Sequence, residues 1–249
     1  MKVIIWKMPR LLRIEDQVLL ICAHQDFTKE YIHALQNIIE IEVDWNLVLQ
    51  TALKNHIGPL VFGNLQKANI VLPPTVELNF KKDYIDNILR KKEAHRLLTR
   101  TLASISEWQK QFSLEVRLML VKGAAYNILI YSKPWYTRSA DIDLLFDLPA
   151  ACIPEEARTH LVNSLEMLNA MDNTFRTHLE YDFYMHHDIT IDGLLPLDPE
   201  RIWRDASPIQ IDGKNLFVMS PEDNLIVAAI ACCRRRYYYL KPLLLEWFC

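Results

Sequence analysis

The stretch 121-VKGAAYNILIYSKPWYTRSADIDLLFD-147 ends in an acidic pair, two aspartates separated by a single apolar residue. The segment from Asp141 to Phe146 is typical of a buried strand, in which successive side chains alternate between the two faces of a sheet. Asp141 and Asp143 are therefore predicted on one face, and Ile142 on the other. Two neighbouring carboxylates disfavour each other's charge unless a cation neutralises them. The pattern predicts either a bound positive charge or a strand end in contact with water.

The composition of the 249-residue chain suits a globular protein with a substantial core, because 51% of its residues are hydrophobic. The net charge of −3 offers no positive field for nucleic acid. Neither a signal-peptide core nor a membrane-spanning run is evident. The five cysteines lack disulfide or zinc-ligand spacing, which favours buried free thiols. These features predict a soluble, cytoplasmic protein with no membrane partner.

Apolar residues recur at helical spacing through the first part of the chain. The pair Gly58-Pro59 precedes a short helix, and the pair Pro73-Pro74 opens a long helix that is predicted to run to about Lys110. Residues 1–111 are therefore predicted as a helical region that packs on the remainder. Three further helices of a few turns are predicted at 17–24, 31–39 and 45–53.

The apolar period changes to that of strands after residue 112. Helices are predicted after Gly123, over 154–170, and from the cap-like start Ser-Pro-Glu-Asp at 220–223. The fold class is therefore α+β, with a mixed sheet flanked by helices in a core at 112–219 and C-terminal helices at 220–249. The apolar end of the chain is typical of a docked terminal helix or of a truncated pattern. Strands are predicted within 114–122, 141–146, 176–185 and 187–195.

The order of a strand, a helix that begins after Gly123, and a strand with the acidic pair suits phosphoryl transfer assisted by two metal ions. Mg²⁺ prefers carboxylate oxygens, and two Mg²⁺ ions about 3.5–4 Å apart can hold the attacking and leaving oxygens of the reaction. Asp141 and Asp143 are predicted to bridge both ions. Asp192 is the predicted third ligand, placed to favour deprotonation of an acceptor hydroxyl, and Asp182 and Asp188 are weaker candidates.

The phosphate side of the predicted site lies before the acidic strand. Gly123 stands at a predicted strand-to-helix turn, where a helix N-terminus favours phosphate charge. Lys122 and Arg138 are predicted to neutralise the triphosphate tail or to orient the aspartates, and structural ion pairs are the alternative. An isolated Asp-x-Asp occurs by chance roughly once in a chain of this size, so the interpretation depends on this context.

These residues resemble those of the uncharacterised nucleotidyltransferase family of the polymerase-beta-like superfamily. The resemblance lies in Lys-Gly-Ala-Ala at 122–125, in Arg138 and in the strand at 141–146, with support from the helix start at 220–223. It implies a polymerase-beta-like nucleotidyltransferase fold, two Mg²⁺ ions, and transfer of a nucleoside monophosphate from a triphosphate such as ATP. The implied nucleotide-binding residues are Lys122, Gly123, Ala124 and Arg138.

The chain departs from the pattern of these relatives at two places. Ala124 stands where the wider superfamily usually has serine, and Gly193-Leu194 follows Asp192 where closer relatives commonly have His-Trp. The acceptor stays open between a small molecule, a peptide and a protein. Two alternatives to the transferase hypothesis also stay open: a catalytically inactive relative that acts as an interaction module, and a phosphate-centred tailoring enzyme for a peptide or small metabolite.

Overall fold

The computed structural model describes most of the chain, but Arg138, Asp192 and the strand predicted at 187–195 lie outside the described residues. Two compact units are distinguished, Met1–Asn87 with Trp135–Arg138, and Ile88–Pro134 with Ser139–Cys249. The division falls within the long helix, and the boundaries predicted after residues 111 and 219 stay predictions. The described residues are 12–129, 133–136, 141–147, 152–171, 178–183 and 198–234.

The described part of the first unit is helical. The helices predicted from apolar spacing are confirmed, and the long helix ends at Phe112, close to the predicted Lys110. Asp44 caps the third helix, because its carboxylate accepts hydrogen bonds from the backbone N–H groups of Asn46 and Leu47. The helices are α1 (Ile14–Cys22), α2 (Lys29–Ile38), α3 (Trp45–Lys54), α4 (Gly58–Lys67) and α5 (Pro74–Phe112).

Helix α4 lies at the centre of the first unit, since most of its residues are buried. The ring of Phe62 stacks on Phe80 of α5, with 5.8 Å between the ring centroids. The buried Asn64 side chain donates hydrogen bonds to the backbone carbonyls of Cys22 (3.0 Å) and His24 (2.7 Å). These bonds fix the end of α1 against α4.

A short 3-10 turn, Pro134–Tyr136, carries two aromatic residues that are anchored within the first unit. Trp135 donates its indole N–H to the hydroxyl of Tyr84 (2.8 Å), and its backbone carbonyl accepts a hydrogen bond from Asn87. Tyr136 is buried against Gly63, where an added Cβ would lie 3.1 Å from the tyrosine ring. Trp135 and Tyr136 are therefore held on α4 and α5.

The second unit contains a five-stranded mixed sheet with the strand order β3-β2-β1-β5-β4. Strand β1 is antiparallel to β2 and parallel to β5, β2 is parallel to β3, and β4 is antiparallel to β5. The predicted α+β class is confirmed. The strands are β1 (Leu118–Val121), β2 (Asp141–Phe146), β3 (His178–Phe183), β4 (Ser207–Ile211) and β5 (Lys214–Val218), and the helices are α6 (Lys122–Leu129), α7 (Glu155–Met171), α8 (Pro199–Asp205) and α9 (Pro221–Arg234).

Helix α8 and the hairpin of β4 and β5 were missed by the sequence prediction, although both have local signals. Asp212 and Gly213 have φ values of 48° and 75°, as a tight type I′ hairpin turn requires. Asp198 caps α8 by accepting a hydrogen bond from the N–H of Glu200 at 3.0 Å, and Pro199 occupies the first helical position. The Asp-Gly pair between two apolar runs is the signal for the hairpin. The Asp-Pro-Glu start is the signal for helix α8.

The two faces of the sheet pack against different helices. Even-numbered residues of β1 and β2 form a core with α5 and α7, and include the fully buried Leu120 and Phe146. Odd-numbered residues of β1 and β2 pack with Ile202 of α8 and Val227 of α9. Asp143 pairs in register with Val121, so it lies on the α8–α9 face. Asp143 is thus on the face opposite α5 and α7.

The free cysteines differ in exposure. Cys22 is buried in α1, and this burial raises the pKa of its thiol. Cys152 is exposed, so the prediction of buried free thiols is confirmed for Cys22 and wrong for Cys152. Cys152 precedes α7 and lies outside the α-helices and strands.

We expect Asn87→Ala to lower the free energy of unfolding by about 1–3 kcal/mol, because Asn87 is buried and donates to the carbonyl of Trp135. Asn79→Ala is the matched control: Asn79 is an exposed residue of the same helix and bonds only the carbonyl of Thr75 one turn earlier. Both variants gain the helix propensity of alanine. Urea denaturation measures the difference, and equal effects would show that the Trp135 anchor contributes nothing.

Candidate functional site

Several chain ends meet at one edge of the sheet. Strand β1 ends where β2 begins, since the two are antiparallel and Val121 pairs with Asp143. Strand β3 begins at the same edge, because it is parallel to β2 and His178 pairs with Asp141. Strand β5 is parallel to β1 and ends there at Val218. The acidic pair therefore shares this edge with the N-termini of α6 and α9, which follow β1 and β5 in the chain.

Lys122 connects β1 to α6 without an intervening loop. Its φ of 53° lies in the left-handed region, which costs a non-glycine residue about 1–2 kcal/mol. Its ammonium Nζ lies 2.7 Å from Oδ1 of Asp143, whose side chain is only 10% exposed. The structure thus brings these two predicted site residues into an ion pair, in which the lysine supplies the positive charge that a buried carboxylate requires.

Gly123 and Ala124 both lie in the first turn of α6. The left-handed residue at this turn is Lys122, and not Gly123, which follows it. The apolar pattern of the sequence did not indicate this conformation. Ala124 packs against the core formed with α5 and α7. Its methyl group therefore serves packing, and the group that it can offer to a ligand is its backbone N–H at the helix start.

The third strand of the acidic edge carries a carboxylate that the sequence prediction did not select. Glu180 of β3 pairs in register with Asp143 on the neighbouring parallel strand. Asp182, considered earlier as a weaker candidate, pairs with Leu145 one step further from the edge. The alternation in 178-HLEYDF-183 is the signal that could have indicated Glu180.

The donor chemistry at this edge fits a magnesium ion. Asp141 and Asp143 offer hard carboxylate oxygens, which Mg²⁺ prefers. A cationic group already contacts the buried carboxylate of Asp143, so the position accepts positive charge. Within the described ranges, no group of three His, Cys, Asp or Glu residues is arranged to hold a metal ion. Asp192, the predicted third ligand, lies outside those ranges.

The start of α9 is fixed by a buried network, and the predicted helix start at 220–223 is confirmed. The hydroxyl of Ser220 accepts a hydrogen bond from the N–H of Asp223 (3.1 Å) and donates one to its carboxylate (2.8 Å). Asp223 is fully buried and forms an ion pair with Arg201 of α8. The hydroxyl of Tyr126 in α6 donates to the carbonyl of Asn224 at 3.0 Å. Helices α6, α8 and α9 are therefore tied together beside the acidic edge.

Comparison with known families shows the family to which the chain belongs. A family described as "Uncharacterised nucleotidyltransferase" matches residues 41–249, which include the acidic strand and both helix starts. The chain belongs to this family. No curated protein and no solved structure matches it.

The family name indicates a nucleotidyltransferase, and hence a transferase that uses a nucleotide substrate. The match confirms the resemblance found from the Lys-Gly-Ala-Ala segment and the Asp-x-Asp strand. Across the described residues, no helix combines the length and apolar character needed to cross a membrane. In this member of the nucleotidyltransferase family, Lys122 and Asp143 are in contact, and Gly123 and Ala124 follow Lys122 at the start of α6.

We expect Ser220→Ala to lower the free energy of unfolding by about 0.5–2 kcal/mol, because the variant loses a helix cap and one partner of the buried Asp223. Glu222→Ala is the control: Glu222 is exposed in the same first turn, and its loss should change stability by less than about 0.5 kcal/mol. Chemical denaturation followed by circular dichroism compares them. A larger loss in Glu222→Ala would contradict the capping role of Ser220.

Proposed function

We propose that the protein is a Mg²⁺-dependent nucleotidyltransferase that moves a nucleoside monophosphate from a nucleoside triphosphate to an acceptor hydroxyl. The observation that carries the proposal is the buried carboxylate of Asp143, which contacts a cationic side chain where a helix begins. A carboxylate, a cation and a helix N-terminus at one strand edge suit a metal-bound triphosphate. We also propose that the mixed sheet and its helices form a polymerase-beta-like nucleotidyltransferase fold.

Asp141 and Asp143 are the residues that would hold two Mg²⁺ ions. Both residues belong to the start of β2, and Asp143 lies on the α8–α9 face. When bound, such ions neutralise the triphosphate and orient the attacking and leaving oxygens. The pairing of Asp143 with Lys122 supports this role, because the contact holds the carboxylate in position beside a positive charge.

The start of α6 is the proposed phosphate-binding element. The backbone N–H groups of Gly123 and Ala124 belong to the first turn, where they have no partner within the helix and carry the positive end of the helix dipole. Lys122 adds a positive charge at the same place. Arg138, which precedes the acidic strand by three residues, is proposed to contact the triphosphate as well. ATP is the proposed donor, and the acceptor is a small molecule, a peptide or a protein.

The third carboxylate ligand is proposed to be Asp192 or Glu180. Glu180 is supported by its register with Asp143 on the neighbouring parallel strand. Adjacent strands are about 4.8 Å apart, and two carboxylate oxygens that share one Mg²⁺ ion lie within about 4.2 Å of each other, so the register permits a shared ion. Asp192 is supported by the strand-like alternation of its segment and by the resemblance to the family.

The first functional test removes each bridging carboxylate. Asp141→Asn and Asp143→Asn should each reduce Mg²⁺-dependent nucleotide transfer at least about 100-fold, since a transition-state contact of this kind is commonly worth that much. Purified protein is incubated with each α-labelled triphosphate, Mg²⁺ and cell extract, and the labelled product is quantified with and without a chelator.

Asp147→Asn is the matched control for this test. Asp147 follows the same strand at its other end, where its carboxylate pairs with Arg117 far along β2 from the acidic edge. This variant should retain nearly all of the transfer activity. Near-wild-type turnover in either Asp141→Asn or Asp143→Asn would show that the two-metal assignment is wrong, and would favour an interaction module.

The second functional test separates the two candidates for the third ligand. Glu180→Gln and Asp192→Asn each remove one carboxylate charge with little change in shape. The variant that lacks the true ligand should require more Mg²⁺ for half-maximal transfer, by about 10–100-fold, whereas the other should titrate like the wild type. Wild-type Mg²⁺ titrations in both variants would exclude both residues and remove the support for a two-metal site.

A further inference from the structure

The ion pair of Lys122 and Asp143 has unequal exposure at its two ends. The carboxylate is almost completely buried, with 10% of the Asp143 side chain exposed, whereas the Lys122 side chain is 32% exposed. The lysine therefore reaches from the surface to a buried acid. Its four-carbon stem is flexible and its ammonium is a compact charge, so it can leave the carboxylate without disturbing the backbone.

The contact occupies an oxygen that the proposed metal ion would use. Oδ1 of Asp143 accepts a hydrogen bond from the ammonium at 2.7 Å. A divalent cation bound to the same carboxylate would stand within a few ångströms of the lysine charge, and like charges at this distance in a partly buried site repel strongly. Lys122 and a divalent cation therefore compete for Asp143.

The backbone supports a specific role for this lysine. Lys122 has a left-handed φ of 53°, although Gly123 is the next residue and could adopt such a conformation without strain. Strain at a residue that contacts a buried acid is an indication of function, because packing must maintain it. The left-handed residue lies at the junction of β1 and α6, and its ammonium contacts Asp143.

We propose that Lys122 is an exchangeable counter-ion of Asp143, an inference that rests on the proposed function. Without metal, its ammonium neutralises the buried carboxylate. When a divalent cation binds Asp143, the ammonium is displaced and contacts the phosphate oxygens of the triphosphate that accompanies the metal. The displaced charge is stabilised only when the triphosphate is present, so metal and nucleotide bind with positive coupling and the metal alone binds weakly.

The test measures metal binding without and with ATP in the Lys122→Met variant of the full chain. With the competing charge removed, the affinity for Mn²⁺ or Mg²⁺ without nucleotide should increase about tenfold, and the factor by which bound ATP increases the metal affinity should decrease about tenfold. The unfolding temperature of the variant should be lower than that of the wild type without metal and should rise more steeply with added Mg²⁺. Calorimetry and thermal denaturation provide these readouts without an activity assay.

Arg117→Met is the matched control, because Arg117 pairs with Asp147 near the opposite end of β2 and also stacks on Trp203. The Arg117→Met variant should be less stable than the wild type by the same amount at every Mg²⁺ concentration. Its affinity for the metal should equal that of the wild type. Lys122→Gln keeps a hydrogen-bond donor for Asp143 without its charge, and it replaces Lys122→Met if that variant does not fold.

Metal affinity that is unchanged or weaker in the variant at Lys122 overturns the exchange proposal, since a residue that only positions Asp143 would give this result. Failure of the proposed function is recognised separately, in the wild-type protein. There, absence of any binding of Mg²⁺ together with ATP would reject the nucleotidyltransferase mechanism itself. Wild-type binding of both ligands combined with unaltered affinities in the variant rejects only the role of Lys122.

Discussion

The arrangement of the acidic edge depends on the antiparallel register of β1 and β2. Because Val121 pairs with Asp143, the residue after Val121 emerges beside the carboxylate, and that residue is Lys122. The helix that follows then begins at the same point. A shift of one residue in this register would turn Asp143 toward the apolar core of α5 and α7, where a charge has no partner. Burial of the even-numbered side chains therefore fixes the position of the acid.

Two kinds of buried ion pair in the second unit have different consequences. The pair of Arg201 and Asp223 belongs to a network with the Ser220 cap, and it ties α8 to the start of α9. The pair of Lys122 and Asp143 lies at a strand edge, and its lysine reaches solvent. A buried pair that is part of a hydrogen-bonded network rigidifies a structure, whereas a lysine ammonium on a flexible four-carbon stem can change partners. The pair of Arg201 and Asp223 therefore stabilises the acidic edge, and the pair of Lys122 and Asp143 is suited to chemistry there.

Sequence prediction and structure agree best for elements that are specified by residues close together in the chain. The helical period of the first part of the chain, the long α5 and the Ser220 helix start were all predictable, because they depend on neighbours a few residues apart. The Lys-Gly and Asp-x-Asp segments were sufficient to predict the family. The hairpin at Asp212 and helix α8 were also locally encoded, and were missed because short elements have too few residues for a clear period.

The sequence by itself determined the α+β class and the family of the chain, and it predicted a shared face for Asp141 and Asp143, because alternation and motif spacing are properties of contiguous residues. Only the tertiary structure decided which residues lie beside Asp143. The pairing of Glu180 with Asp143 and the contact of Lys122 with the same carboxylate depend on strand register. Register is set by burial of side chains that are distant in the chain, which no local pattern specifies.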